Sequence, residues 1–337
     1  MAVDQAVVDL MLDVFTQYRQ AHPSPTPVQR DPSLWRSLGD LGLVRLTGSE
    51  PLGGSGAGWG EAAELIAAAV RCGVRLPLSE HDLLACWLLE ATGLPVDDAF
   101  RTVCVLDPDG AASGVPWAAG ADRIVTVWFA EGEYLVADLD AGALRITPGT
   151  NRIGEPRDTV VASLGQLRGT QVASETVEQL RLKSALIRSI QVCAALDRIV
   201  EMSIDHTMSR VQFGRPLSKF QAVQNLVSDM AAEAALARAA TDGALIAAVA
   251  SAWSAPNLRF LVAVARSCSG HAASVVVRNG HQVHGAIGTT IEHSLHEFTR
   301  SALTWRSEFG SVRFWDDQVT EAACRTGTAD LWNLITE

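Results

Sequence analysis

Two arginines, Arg210 and Arg215, flank a short turn in the segment SRVQFGRPLSKFQAVQNLVSDM, Ser209 to Met230. Each carries a planar, permanently charged fork of donors, the geometry that a phosphate or pyrophosphate accepts best. Between them stand Phe213 and Gly214. Glycine there can take backbone angles that other residues resist, and Pro216 suits the first turn of a following helix. The chemistry this spacing offers is anion binding. A plain helical hairpin, with its arginines in water or paired to Asp205 or Glu201, accounts for the same residues.

Other candidates offer less. His281-x-x-His284 and Glu292-His293-x-x-His296 have a spacing that can put two metal ligands on one helical face. A zinc site needs three or four converging ligands, themselves held by hydrogen bonds, and no cysteine lies near. Packing or surface histidines are therefore expected, and no metal. No Ser-His-Asp set can be assembled. Asp158 and Glu155, beside Arg152 and Arg157, read as a solvated loop. Five glycines between 53 and 60 invite a phosphate cradle. A helical pattern precedes them and no Gly-Lys-Ser/Thr follows, so the loop lacks the setting that such a cradle requires.

The elements that must position these residues fall into three stretches. Residues 1–98 read as helices: Val3, Val7, Val8, Leu10, Met11, Val14 and Phe15 recur near the helical period, and the proline-rich AHPSPTP stops them. A second helix is expected from Asp31 as cap and Pro32, with further helices over Glu61–Cys72 and His81–Thr92. Residues 99–168 change texture to short β-rich runs split by Asp-Pro-Asp-Gly, Glu-Gly-Glu and Pro-Gly-Thr, which predicts a small antiparallel β domain. Residues 169–337 are helical again. Leu186, Ile190, Cys193, Leu196, Val200 and Ile204 make one stripe, and further helices are expected over 220–250, 256–278 and from about 290 to 305. Four long helices with short joints imply an antiparallel bundle.

With 337 residues, 48% hydrophobic and 19% charged, the chain can bury a large core in roughly two or three packed units. Its formal charge of -11 argues against nucleic acid as the main partner. The first twenty residues carry Asp4, Asp9 and Asp13 and do not read as a signal peptide. No apolar run, including 244–253, reads as long enough to span a bilayer, so no membrane association and a cytoplasmic location are expected. The six scattered cysteines, with no C-x-x-C, read as reduced core residues.

The string R-x-Q-F-G-R-P-L-x-x-F-Q-x-V-Q-x-x-x-x-D-M, beginning at Arg210, closely resembles the signature of the acyl-CoA dehydrogenase family. A second landmark, Q-x-x-G-G-x-G, is matched by Gln282-Val283-His284-Gly285-Ala286-Ile287-Gly288, with Arg300 downstream. The likeness is dense from 200 to 305 and looser over the rest. It implies a mainly α acyl-CoA dehydrogenase fold with a small β domain: an N-terminal helical domain, a shortened antiparallel β domain and a C-terminal four-helix bundle. In such tetramers the two turns reach across a dimer interface to the pyrophosphate and adenosine of a neighbour's FAD. By position, Arg210, Gln212 and Phe213 supply one set of contacts, and Gln282, Gly285 and Ala286 the other, Ala286 replacing a glycine. The five-glycine loop resembles one that in the family is mostly packing.

Departures from the family pattern shape the expectation as much as the matches. The segment that holds the flavin ring in the same subunit is not found, LDPDGAASG at 106–114 and Trp128 being the nearest candidates. The position of the family's catalytic glutamate falls on Phe309, with Gly310 matching the glycine that follows. An alternative base position falls near Ser184, beside Lys183. Glu308 is one residue early, a rotation of about 100° on a helix. The chain therefore looks most like the short, base-less subunits of bacterial heteromeric enzymes, which pair with a longer catalytic subunit (α2β2) to dehydrogenate CoA thioesters of steroid side chains. The implied partners are that subunit, the acyl-CoA and an electron-transfer flavoprotein-type acceptor. A self-sufficient homotetramer using Glu308 and a flavin-free scaffold are the alternatives.

Overall fold

Free N–H groups at a helix start need an acceptor, and the chain supplies one where the sequence places it. In the structure, a computed structural model that describes residues 3–23 and 28–336, Asp4 caps α1 (Gln5–Ala21) through Ala6 N at 2.9 Å. Asp31 caps α2 (Pro32–Asp40) through Ser33 N at 2.7 Å. Residues 24–27 of the stretch expected to stop α1 lie outside the described residues. The chain divides into two compact units, Met1–Lys183 and Ser184–Glu337, and both domain boundaries expected from the sequence fall inside the first.

In that first unit α3 (Trp59–Arg71) forms as expected. The helix expected over His81–Thr92 is different: Ser79–Cys86 is π-helical and runs into α4 (Trp87–Ala91). It has no solvent face, because Glu80, His81 and Asp82 are buried along with its apolar residues. Asp82 accepts from Thr47 N and Oγ1, both at 3.0 Å, and His81 Nδ1 accepts from Arg101 N at 3.1 Å. Those bonds replace water for groups that an amphipathic helix would have left outside. Burial pushes the His81 imidazole down to about 3 and the Asp82 carboxyl up to about 6. The glycine loop serves packing. A Cβ on Gly54 would lie 2.1 Å from the Gly48 carbonyl oxygen, so only glycine allows the two backbones to approach.

The β region holds seven strands: β1 (Arg101–Val105), β2 (Ala111–Pro116), β3 (Arg123–Ala130), β4 (Glu133–Asp140), β5 (Arg145–Thr147), β6 (Arg157–Val161) and β7 (Thr170–Val172). They make two sheets, β1-β3-β4-β7 and β2-β6-β5. The expectation of a purely antiparallel domain needs correction, since β1 pairs parallel with β3, Val103 opposite Val125. The cause is β2, which leaves the first sheet for the second and returns the chain in the original direction. Its Gly114, its Pro116 and the irregular register between Ala112 and Val115 hide it from a period-two reading. Asp158 and Glu155 also correct the solvated-loop reading. Both are buried: Asp158 accepts from Ala119 N at 2.7 Å and Gly149 N at 3.0 Å, and Glu155 pairs with Arg157 at 2.9 Å.

The long helix α5 (Ser174–Ser209) carries the chain across the division between units. A hairpin of β8 (Val211–Gln212) and β9 (Arg215–Pro216) follows, then α6 (Gln221–Ala250), α7 (Leu258–His284), α8 (Leu295–Trp305) and α9 (Val312–Thr336). The fifth of these helices, α9, lies beyond the four expected and packs on α7. Gly270 makes room for it, since a Cβ there would meet Val312 Cγ2 at 2.6 Å. The α5 stripe holds from Leu186 to Leu196 but not at Ile204, which is 38% exposed, while Ile199, Ser203 and Thr207 are buried. A glycine decides this shift. Ile199 fits against Gly280 of α7, where a Cβ would come within 2.9 Å of its Cγ2.

Two composition readings also change. By length and composition Leu258–Thr289 is long and apolar enough to cross a bilayer, contrary to the sequence reading, although 61% of its most apolar window is buried inside the protein. Of the cysteines, Cys86, Cys104 and Cys193 are core residues; Cys72 and Cys268 are half-buried, and Cys324 is exposed.

Candidate functional site: two turns at one end of the bundle

The β8–β9 hairpin puts Gln212 opposite Arg215 and bridges them with Phe213 at φ 51° and Gly214 at φ 77°. Two successive positive-φ residues match the twist of a two-residue hairpin, so Pro216 belongs to β9 and α6 starts only at Gln221. Phe213 holds an unfavourable backbone angle for a large residue and leaves its ring 92% exposed. With the Gln212 amide oriented by its hydrogen bonds, its oxygen accepts from Arg210 Nη2 at 2.9 Å and Nε at 3.3 Å. Arg215 lies over the Phe220 ring at 4.2 Å. Among the described residues no carboxylate pairs with Arg210 or Arg215; Glu201 pairs with Arg198 at 3.2 Å.

The second turn begins where α7 ends. Gly285 takes φ 63° and ψ −141°, a region closed to residues with a Cβ, and nothing lies within 4 Å of where a Cβ would point. Gly288 is a packing glycine, for a Cβ there would strike His284 Cβ at 2.7 Å. Ala286 has no positive φ, so its methyl replaces the family's glycine without backbone strain. Gln282, Gly285 and Ala286 are all exposed.

Three imidazoles join the two turns. His206, one helical turn before Arg210, stacks on His284 with ring centroids 4.6 Å apart, and His284 meets His293 edge-on at 4.9 Å. The residues separated by some seventy positions in sequence thus share one end of the second unit. His281 Nε2 faces Thr299 Oγ1 at 3.1 Å, and His284 Nδ1 faces the Gly280 carbonyl at 2.8 Å. Among the described residues no three His, Cys, Asp or Glu side chains are arranged to hold a metal.

The positions that the resemblance assigns to a base are occupied otherwise. Phe309, at φ 54°, and Gly310, at φ 113°, form the turn after α8, and a Cβ on Gly310 would lie 2.5 Å from Trp315 Nε1. The Glu308 carboxylate receives Arg188 Nε at 2.8 Å. Arg266 Nη2 donates to the carbonyls of Glu308 at 2.7 Å, Arg306 at 3.0 Å and Gly310 at 3.2 Å. Arg188 and Arg266 are both 1% exposed, and burial with the nearby Arg188 charge pushes the Arg266 guanidinium down to about 9. Ser184 is buried in α5. Lys183 lies over the indoles of Trp59 at 4.7 Å and Trp87 at 4.3 Å.

The nearest candidates for flavin contacts within the chain's own β region serve structure. Asp107 accepts from Asp109 N and Ala111 N at 2.9 Å each, closing its own turn, and Trp128 is buried in the β core. The exposed turns fit the adenosine and pyrophosphate half of FAD better. They offer a guanidinium that no carboxylate among the described residues pairs with, a side-chain amide held against it, and a glycine backbone facing open space. Sequence reasoning missed Arg188, Arg266 and the histidine stack. Single arginines interrupting apolar helical runs were the available signal for the first two.

Comparison with known proteins agrees with this architecture. Residues 168–313 match the family model described as acyl-CoA dehydrogenase, C-terminal domain. The chain has the acyl-CoA dehydrogenase fold, and its C-terminal half is similar in sequence to that family. Acyl-CoA dehydrogenase IpdE2 of Mycobacterium tuberculosis is 29% identical over 290 residues, covering 81% of this chain and 80% of that protein. In the ChsE4-ChsE5 complex from Mycobacterium tuberculosis, one chain superposes with a TM-score of 0.84 at 20% identity, covering 97% of this chain and 99% of that one. A chain of a Tcur3481-Tcur3483 steroid ACAD variant gives 0.82 at 18% identity, covering 95% and 97%. At these identities the two structures speak for the fold alone.

Proposed function

We propose that this chain is a subunit of a heteromeric FAD-dependent acyl-CoA dehydrogenase that introduces an α,β double bond into a CoA thioester. In this reading the chain carries no catalytic base and binds the adenine and pyrophosphate end of a flavin held by a longer partner subunit. The observation that carries it is the pair of exposed turns at one end of the bundle, where no carboxylate among the described residues pairs with Arg210. Arg210 and Gln212 form one preassembled donor group, Gln282 and the open Gly285 backbone form the other, and Phe213 presents an apolar face. A charged fork beside a free backbone is what a pyrophosphate accepts.

FAD, when bound, would supply the hydride-accepting chemistry, and the acceptor of the complex would be of the electron-transfer flavoprotein type. The chain's own residues bind and orient. Phe309 cannot take a proton, and the Glu308 carboxylate is engaged by Arg188, so removal of the α-proton falls to the other subunit. A steroid side chain as the acyl group rests on likeness to a protein described as a steroid ACAD.

The test is the flavin content of the complex formed when this chain is co-expressed with a catalytic acyl-CoA dehydrogenase subunit. Arg210→Ala removes one charged contact, expected to cost about 1.5–3 kcal/mol, or roughly ten- to a hundredfold in flavin affinity. Unchanged affinity in that variant refutes the reading in favour of a flavin-free scaffold. Turnover by the complex is expected to survive Glu308→Gln.

A further inference from the structure

Three imidazoles stand where the two turns meet, and the flavin-end reading does not account for them. Their hydrogen bonds fix which nitrogens remain. Leu295 N donates to His293 Nδ1 at 3.2 Å, so neutral His293 carries its proton on Nε2, on a half-buried ring that faces partly to solvent. His284 Nδ1 donates to the Gly280 carbonyl, which leaves Nε2 without a proton. That nitrogen has no hydrogen-bond partner although His284 is 5% exposed. His206 is half-buried and makes no hydrogen bond through its ring among the described residues. The stack thus holds a free donor and a buried acceptor that becomes a donor only on protonation.

The charges around it are of one sign. His206 is influenced by His293 and Arg210; His284 by His206, His293 and His281; His281 by His296. Burial, then these neighbours, hold His206 and His284 below the ordinary imidazole range. The carboxylates next in sequence, Asp205 and Glu292, are exposed, and Glu292 is bonded by Thr290. His206 and His284, with no carboxylate among the charges that act on them, resist protonation until an anion arrives. An anion at the turns reverses that balance.

We propose that His206, His284 and His293 form a proton-linked part of the pyrophosphate-binding surface, so that a dinucleotide diphosphate binds there together with a proton. This inference rests on the flavin-end reading and adds to it residues and a linkage. Free, His206 and His284 are held below the ordinary imidazole range by burial and by the positive groups beside them. With a pyrophosphate beside Arg210 the imidazoles hold protons more tightly, and proton uptake makes binding tighter as pH falls through the histidine range. The pyrophosphate diester does not itself titrate there, so the linkage belongs to the protein.

The experiment is calorimetric titration of FAD into the deflavinated complex of this chain with its catalytic partner, at pH 6.5 in buffers of different ionisation enthalpy. Wild type is expected to take up a substantial fraction of one proton per FAD and to bind about tenfold more tightly at pH 6 than at pH 8. His293→Gln, on a partly exposed ring, and His206→Gln are each expected to reduce the uptake and flatten the pH dependence with no shift in thermal midpoint. Wild-type binding without proton uptake overturns the inference, whatever the variants do. If Arg210→Ala weakens FAD while the histidine variants keep full uptake, the stack is refuted and the flavin-end reading stands. If neither Arg210→Ala nor the histidine variants alter binding, both fall.

Discussion

Arg188 and Arg266 are sealed into the bundle, whereas Arg210 and Arg215 stand at its surface, and the two pairs have opposite partners. The buried pair meets acceptors from its own chain: the Glu308 carboxylate and the carbonyls of residues 306, 308 and 310. The exposed pair meets an amide and an aromatic face, with no ion pair among the described residues. The same side chain closes a loop in one place and, on the proposed reading, is offered to an anion in the other. What decides between the roles is whether the fold supplies a negative partner. At the corner of Glu308, Phe309 and Gly310, it does.

The sharpest way to break this contrast is to remove an arginine from each region. Arg188→Met leaves the Glu308 carboxylate without its buried partner and is expected to cost about 3 kcal/mol in urea unfolding. Arg210→Met should cost less than about 0.5 kcal/mol in the same assay, since its site is exposed. Equal losses would erase the distinction. Gly285→Ala sharpens it on the backbone side. A Cβ meets no atoms there but must adopt φ 63°, ψ −141°, so about 2 kcal/mol of strain is expected, read as a lower thermal midpoint.

Lys183 extends the comparison to the first unit. Its ammonium lies over two indoles, which favour the cation, while burial pushes its pKa down to about 7. The unfolded chain keeps that proton up to the ordinary lysine range, whereas the folded chain releases it near 7. Between about pH 7 and 10 the unfolded state therefore binds more protons, and stability rises with pH by at most about 1.4 kcal/mol per unit. Lys183→Met is expected to flatten that rise in unfolding free energies measured across the window. An unchanged slope would show that the indoles keep the lysine charged.

Much of this architecture is legible in the sequence because it depends on local chemistry. Asp31 before Pro32 announces a helix start, and the helical spacing of Leu186 to Leu196 announces a buried face. The two turns announce themselves by motif. What stays hidden depends on residues distant in sequence. Asp158 reads as solvated until Ala119 and Gly149 supply its donors. Ile204 leaves the core because Gly280, seventy-six positions on, admits Ile199 instead. β1 runs parallel to β3 because an intervening strand changes sheets. Within the candidate site, Arg210 and Gln282 are visible as motif residues, but the imidazole stack that brings their turns together exists only after α5 and α7 have packed.

The most direct test of the central claim is the flavin stoichiometry of this chain, purified alone and after co-expression with a catalytic acyl-CoA dehydrogenase subunit. The expected result is a colourless chain alone and two flavins per four chains in the complex. A yellow homotetramer that turns over an acyl-CoA without any partner would contradict it, and would make Glu308 the residue to test as base.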